Sequence, residues 1–352
     1  MLNRLSILLA PIALIYGVIV KIRNLLFDYR ILKSVSFAKP VLCVGNLTVG
    51  GTGKTPHVEY LIKLLSASFE VATLSRGYRR KTKGFCYASS SSTSDEVGDE
   101  PLQMKLKYPQ ITVAVDSDRV NGISKLISEN ANLDLIILDD AFQHRYVKPG
   151  LSILLIDFNQ PITTDYFLPM GRLRDSVKEK RRADIVIITK CPPDLSQESR
   201  SVLQEKLTLD SNQSIFFTTL RYSKPIPVFK EFGSKLELNT GEEIFALAGI
   251  ANPTFFFSHL ESKAKLIEKH TFPDHYSFSK KQIYPIFDSY LKSGASSKAI
   301  VTTEKDAASL RGISSLDDEF KKALFYIPIE VEFLDNQANN FNKQILTYAR
   351  KN

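Results

Sequence analysis

Cysteine is scarce in this chain, and none of it is paired. Cys43, Cys86 and Cys191 stand alone among 352 residues, with no C-x-x-C pair and no histidine at metal-ligand spacing. That excludes a disulfide framework and a zinc site, and it fits a reducing cytoplasm. No internal repeat is evident, and only Ser89 to Ser94 is low in complexity, which reads as a surface loop. Acidic residues are outnumbered, with 46 Lys and Arg against 38 Asp and Glu for a net +8. The excess favours acidic partners such as anionic lipid, phosphorylated substrate or nucleic acid. No stripe of basic residues interleaved with exposed aromatics stands out, so nucleic acid is not expected among the partners. A hydrophobic fraction of 43% and a charged fraction of 24% exclude global disorder, and the length suits two domains.

No apolar run reaches the roughly 20 residues a spanning helix needs. One uncharged run, from Leu5 to Val20, is interrupted by Pro11 and Gly17 and is followed by the basic and apolar stretch Lys21 to Arg30. No small-residue cleavage site precedes Lys21, which argues against a secretory signal. A helix packed on the core is one reading of residues 1–35. The preferred one is a helix lying in the inner leaflet, with Arg4, Lys21, Arg23 and Arg30 at the phosphate level. That reading puts the chain at the inner surface of a membrane.

The most informative stretch is Val41-Leu-Cys-Val-Gly-Asn-Leu-Thr-Val-Gly-Gly-Thr-Gly-Lys-Thr-Pro-His57, a buried strand running into a glycine-rich loop and a helix. Such a loop aims consecutive backbone N–H groups at an anion, and the helix N-terminus behind it favours negative charge. Thr48, Gly50, Gly51, Thr52 and Gly53 would cradle the phosphates of ATP. Lys54 would neutralise the β- and γ-phosphates, and the Thr55 hydroxyl would ligate Mg²⁺. Thr48 occupies the first position of the P-loop frame, where glycine is usual. An ordinary glycine-rich turn is the alternative; the strand before and the periodic Val58 to Leu65 segment after it argue against one.

From Val41 to about Thr219, short β-branched runs alternate with polar clusters and helical patterns. This predicts an α/β fold, a P-loop NTPase-like, mostly parallel sheet flanked by helices, with ligands at its C-terminal edge. The P-loop core is expected over 36–220, a linker or two-stranded hinge over 221–242, and a smaller α/β unit over 243–352. A second P-loop element is expected where the run from Leu133 to Leu138 meets Asp139 and Asp140, placing carboxylates to hold Mg²⁺ opposite the loop rather than in a solvated turn. Gln143 and His144 follow, either able to touch phosphate or a metal-bound water.

Further clusters fill the chain: Ser75-Arg-Gly-Tyr-Arg-Arg80, Gly98-Asp-Glu-Pro-Leu102, Asp116-Ser-Asp-Arg119, Leu168-Pro-Met-Gly-Arg-Leu-Arg174, Leu247-Ala-Gly-Ile-Ala-Asn-Pro253, Phe272-Pro-Asp-His275 and Thr303-Glu-Lys-Asp306. With the P-loop, this ordered set resembles the tetraacyldisaccharide 4′-kinase family of the lipid A pathway over nearly the whole chain. The resemblance implies a membrane-associated kinase that uses ATP and Mg²⁺ on an acylated glucosamine disaccharide 1-phosphate. It also implies that Asp99 is the catalytic base, with His275 as its partner, and that Arg76, Arg119 and Arg172 hold substrate phosphate. Read without it, Asp99 is a helix N-cap, His275 a turn residue, and Arg119 and Arg172 surface ion pairs. Where the family often has Asp-His-His-Pro, this chain has Asp274-His275-Tyr276-Ser277. Two readings compete with the kinase: a membrane-recruited P-loop ATPase switch that binds a protein partner, which leaves Asp99 and His275 without a purpose, and a nucleic-acid-binding NTPase.

Overall fold

The structure, a computed structural model, describes residues 8–232, 235–274, 276, 278–313 and 316–351. Eight strands form the first part of the chain: β1 (Val41–Gly45), β2 (Val71–Ser75), β3 (Cys86–Tyr87), β4 (Thr112–Val115), β5 (Leu135–Asp139), β6 (Leu151–Asp157), β7 (Ile185–Thr189) and β8 (Ser214–Tyr222). Next come β9 (Ile226–Pro227), β10 (Glu243–Ala248), β11 (Lys265–Thr271), β12 (Lys298–Thr303) and β13 (Leu324–Ile327), and last β14 (Ile329–Phe333). They build a nine-stranded sheet in the order β14-β8-β7-β6-β1-β5-β2-β4-β3 and a five-stranded sheet in the order β11-β10-β12-β13-β9. Pairing is parallel throughout except where β3, β9 and β14 join. This is the expected α/β architecture of mostly parallel sheets flanked by helices.

The central strands are buried on both faces, which is why they read as unbroken apolar runs rather than alternating ones: β1, β5 and β7 are buried at every position. Each such Val, Leu or Ile side chain contributes about 1.5–3 kcal/mol by leaving water. β1 lies between β5 and β6 at the middle of the sheet. The P-loop therefore projects from the best-anchored strand end.

One expected boundary is corrected. The smaller unit was placed over 243–352, but β14 pairs antiparallel with β8 of the large sheet. Phe333, and Phe341, Ile345 and Ala349 of the helix Ala338–Arg350, join the core of that sheet. The chain's end thus clasps the first unit. The expected linker also gives residues to both sheets, to β8 at its start and then to β9.

At the N-terminal side, the helix Ala10–Asp28 is long and apolar enough to cross a membrane, and it has two different faces. Ala13, Gly17, Val20, Asn24 and Phe27 are buried against the large unit. Gly17 is required there, because a Cβ would sit 2.8 Å from the Phe167 ring. Leu14, Ile15, Val18, Ile19, Ile22 and Leu25 are exposed on the other side. The two readings of this segment are thus compatible: it packs on the protein and still offers an apolar face.

Candidate active site

All the phosphate-handling candidates gather at the C-terminal edge of the large sheet, where parallel strands deliver their loops. β1 ends at Gly45, whose Cβ would collide with Phe142 at 2.7 Å. Gly50 and Gly53 both have left-handed φ, +104° and +84°, the second as N-cap of the helix Lys54–Leu65. A side chain at Gly53 would cost about 1–2 kcal/mol in backbone strain alone. A Cβ at Gly50 or Gly51 would meet nothing within 4 Å, so this side of the loop is open to a ligand.

The loop is pinned from several strands. Asn46 Nδ2 donates to Thr52 Oγ1 at 2.8 Å, Gln143 Nε2 to Asn46 O at 2.7 Å, and Thr189 Oγ1 to Thr52 O at 2.9 Å. Thr48 is buried and bridged to Leu173, with Val49 N donating to Arg172 O. Lys190, itself paired with Asp157 at 2.7 Å, donates to Gly51 O. His57 donates from Nδ1 to Gly53 O at 2.7 Å, and its Nε2 lies 3.1 Å from Thr218 Oγ1. Burial keeps that ring neutral, with its pKa lowered to about 4.

Lys54 lies 3.8 Å from Asp140. Asp140, at a left-handed φ of +49°, takes two hydrogen bonds from Arg174, which also reaches Asn46 Oδ1. Burial alone would raise the Asp140 carboxyl, but Lys54 and Arg174 outweigh it and hold it below the usual range. Asp139 differs. It is 2% exposed, its Oδ1 has no partner, and burial, with Glu100 and Asp140 beside it, pushes it up to about 8. An orphaned carboxylate oxygen at this position fits a hard cation. Among the described residues no three His, Cys, Asp or Glu side chains cluster to hold a metal, so a cation here would share its shell with Thr55 and phosphate oxygens, as Mg²⁺ usually does.

Thr55 Oγ1 donates to Glu100 Oε1 at 3.4 Å, which brings the first turn of the helix Asp99–Lys107 beside the P-loop helix. Asp99 is the first residue of that helix; its N-cap is Gly98, at φ +92°, where a Cβ would crowd Tyr78 O at 3.0 Å. The N-cap reading of Asp99 is therefore replaced: Gly98 caps, and the half-buried Asp99 stands in the first turn of the helix.

Arg119 is 3% exposed, which rules out a surface ion pair. Its Nη1 donates to Asp116 O at 2.9 Å while Nε has no partner, and burial lowers its pKa to about 10 with Asp140 and Asp139 nearby. Arg76 is exposed at the end of β2, close enough to Arg119 to act on it electrostatically. The Arg172 side chain pairs with Asp165 at 3.0 Å, and Arg174 is the arginine that reaches Asp140. Sequence reasoning named Arg172 and missed Arg174, Asn46, Lys190 and His57. The available signal was position, since Asn46 and Lys190 directly follow buried strands.

His144 has its pKa lowered to about 4 by burial and by Arg119, and its Nε2 has no partner. His275 lies outside the described residues. Its neighbours are placed: Asp274 accepts from Lys305 at 2.5 Å, and Tyr276 packs between Phe272 and Phe278 with ring centroids 5.0 and 5.3 Å away.

A profile of the Tetraacyldisaccharide-1-P 4'-kinase family matches residues 5–350. The chain belongs to this family. It is 44% identical to the tetraacyldisaccharide 4'-kinase of Flavobacterium johnsoniae over 351 residues, covering 100% of this chain and 99% of the relative. It is equally similar, at 44% over 354 residues, to that of Bacteroides thetaiotaomicron, covering 98% and 93%. Among solved structures it resembles LpxK from Aquifex aeolicus in complex with ATP, with a TM-score of 0.73, 29% identity, and coverage of 98% and 99%. Membership in a kinase family agrees with an edge built for phosphate, and the ATP-switch alternative is not favoured.

Proposed function

We propose that this enzyme transfers the γ-phosphoryl group of ATP to the 4′-hydroxyl of a tetraacylated glucosamine disaccharide 1-phosphate, giving lipid IVA. The observation that carries the reading is the convergence of Lys54, Asp139, Asp140, Arg119 and Arg174 on one open glycine loop, in a chain matched end to end by this kinase family.

In-line transfer needs little covalent help from the protein and much positioning. The loop amides and Lys54 stabilise charge on the β- and γ-phosphates. Mg²⁺, held by Thr55 and Asp139, would neutralise charge on the phosphate oxygens. Asp140 is assigned a supporting part, since Arg174 already occupies both its oxygens. Asp99 accepts the hydroxyl proton, and His275 tunes or orients it. Gln143 steadies the loop through Asn46 O, and Arg76, Arg119 and Arg172 hold phosphate of the acceptor or the moving group.

The exposed apolar face of Ala10–Asp28 supports a position on a bilayer surface, where an acylated acceptor resides. This fits the cytoplasmic face of the bacterial inner membrane. Tyr16 of that helix donates to Arg174 O at 3.1 Å and Arg23 donates to Gln143 O, so anchor and active site are one assembly.

The test is transfer of label from [γ-³²P]ATP to tetraacyl disaccharide 1-phosphate in mixed micelles, with the new phosphate located by ³¹P–¹H NMR. Phosphate at the 4′ position is expected. ATP hydrolysis without labelled lipid would overturn the reading and revive the switch.

A further inference from the structure

The Thr303-Glu-Lys-Asp306 segment has no part in the chemistry above, yet it sits where the two units meet. Thr303 Oγ1 caps the helix Glu304–Arg311, accepting from Asp306 N, and the Asp306 carboxylate accepts from Thr303 Oγ1 at 2.7 Å and Gly249 N at 2.8 Å. Thr303 and Asp306, which make that cap, are buried. From it two side chains leave in different directions. Lys305 holds Asp274, next to His275. Glu304 crosses to the other unit and takes Lys107 at 2.7 Å.

Lys107 is the last residue of the helix that begins with Asp99. It also pairs with Glu59 at 2.7 Å, and Gln103 of the same helix donates to Glu59 Oε1 at 3.1 Å. Glu59 belongs to the P-loop helix that begins with Lys54. Three helices carrying the phosphate lysine, the base and the second unit's signature thus share one ammonium group.

The charges do not balance, with two carboxylates around one lysine, and Glu59 is 5% exposed. Burial and the neighbouring Glu304 push the Glu59 carboxyl up to about 7. Burial alone would lower the Lys107 ammonium, but Glu59 and Glu304 raise it. Apolar side chains would bind these helices together at least as well, because desolvation consumes most of a buried ion pair's attraction. What the triad adds is direction: a bridging lysine fixes the rotation and height of a short helix, and a misplacement of about 1 Å at a catalytic group can cost about a hundredfold in rate.

We propose that Glu304–Lys107–Glu59 is a positioning strut that sets the Asp99 helix according to where the smaller unit sits. The proposal rests on the assignment of Asp99 as the base. In this structure the bridge is made on both sides, so the helix that begins at Asp99 is held between the P-loop helix and the smaller unit.

The experiment uses the full chain and measures kcat and KM on ATP and tetraacyl disaccharide 1-phosphate, with ATP affinity by calorimetry. Glu304→Ala should lower kcat about tenfold and leave ATP affinity within about twofold. Lys107→Met should lose at least as much, and Lys107→Arg, which can still bridge both acids, should recover most of it. In an Asp99→Asn background the Glu304→Ala loss should shrink below about twofold, since there is no base left to misplace. Should Glu304→Ala fail to fold, the isosteric Glu304→Gln carries the same expectations. An unchanged kcat, or a loss undiminished in the Asp99→Asn background, overturns the strut. Asp99→Asn with near wild-type turnover instead overturns the assignment of the base, a separate result visible before any strut variant is made.

Discussion

The two sheets face the same problem, presenting loops at the C-terminal ends of parallel strands, and solve it with different chemistry. The edge of the nine-stranded sheet is crowded with charge: Lys54, Arg119 and Arg174 all act on Asp140, and Lys54 and Arg119 act on Asp139 beside it. The edge of the five-stranded sheet is held by a capped helix turn, one Lys305–Asp274 pair and the packed rings of Phe272, Tyr276 and Phe278. The first edge is an anion receptor whose shape is fixed by its own ion pairs. The second is a scaffold in which a buried cap directs Glu304 and Lys305 toward partners outside their own helix.

The largest effect should follow from breaking the first edge. Lys54→Ala is expected to lower kcat about a thousandfold or more with the fold intact, measured by single-turnover phosphoryl transfer and circular dichroism. Activity near wild type would mean that the glycine loop is not the phosphate site. A smaller loss, about tenfold to a hundredfold in kcat, is expected for Arg174→Met, which frees Asp140 to pair with Lys54 alone. If Arg172→Met were the more damaging of the two under the same assay, the assignment of Arg174 to the carboxylates would need to be reversed.

The helix Ala10–Asp28 offers a cleaner handle on its outer face than by deletion, since its inner face packs beside Arg174 and Gln143. Combined Leu14→Ser, Ile15→Ser and Ile19→Ser should move the protein out of liposome pellets, at about 0.8 kcal/mol per methylene withdrawn from lipid, without changing ATP affinity. Retention in the pellet would assign membrane contact to another surface.

The smallest effect concerns stability. Burial holds His57 uncharged to about pH 4, whereas the unfolded chain takes up that proton near 6.5. A depressed folded-state pKa means the unfolded state binds the proton first, so stability is lost as pH falls from 6.5 to about 4 and no further below. The ceiling is about 3 kcal/mol. His144 shifts in the same direction, so the difference between wild type and His57→Gln in urea unfolding at pH 7 and pH 4.5 isolates one ring. Parallel pH curves for the two proteins would contradict the linkage.

Most strands were legible because a doubly buried parallel strand leaves an unbroken apolar run, as in Leu135–Asp139 and Ile185–Thr189. The P-loop was legible because its glycines and Lys54 serve a local geometry. β14 was not. Its residues alternate in burial, as an edge strand's should, but its partner β8 lies in a different unit, and nothing local announces that return. Arg174 was overlooked for a similar reason: two arginines flank the buried Leu173, and only the tertiary structure tells which meets Asp140 and which meets Asp165. Glu304 and Lys107 are ordinary helix residues in sequence and become meaningful when the units are seen together.

The central claim is that one reaction is completed by residues from both sheets, Asp99 from the first unit and His275 from the second. A double-mutant cycle on kcat, with Asp99→Asn, His275→Ala and the pair, tests it most directly. The account predicts large single losses, unchanged ATP affinity, and a double variant little worse than the poorer single one, because both groups serve one proton transfer. Losses that multiply as independent effects would contradict it.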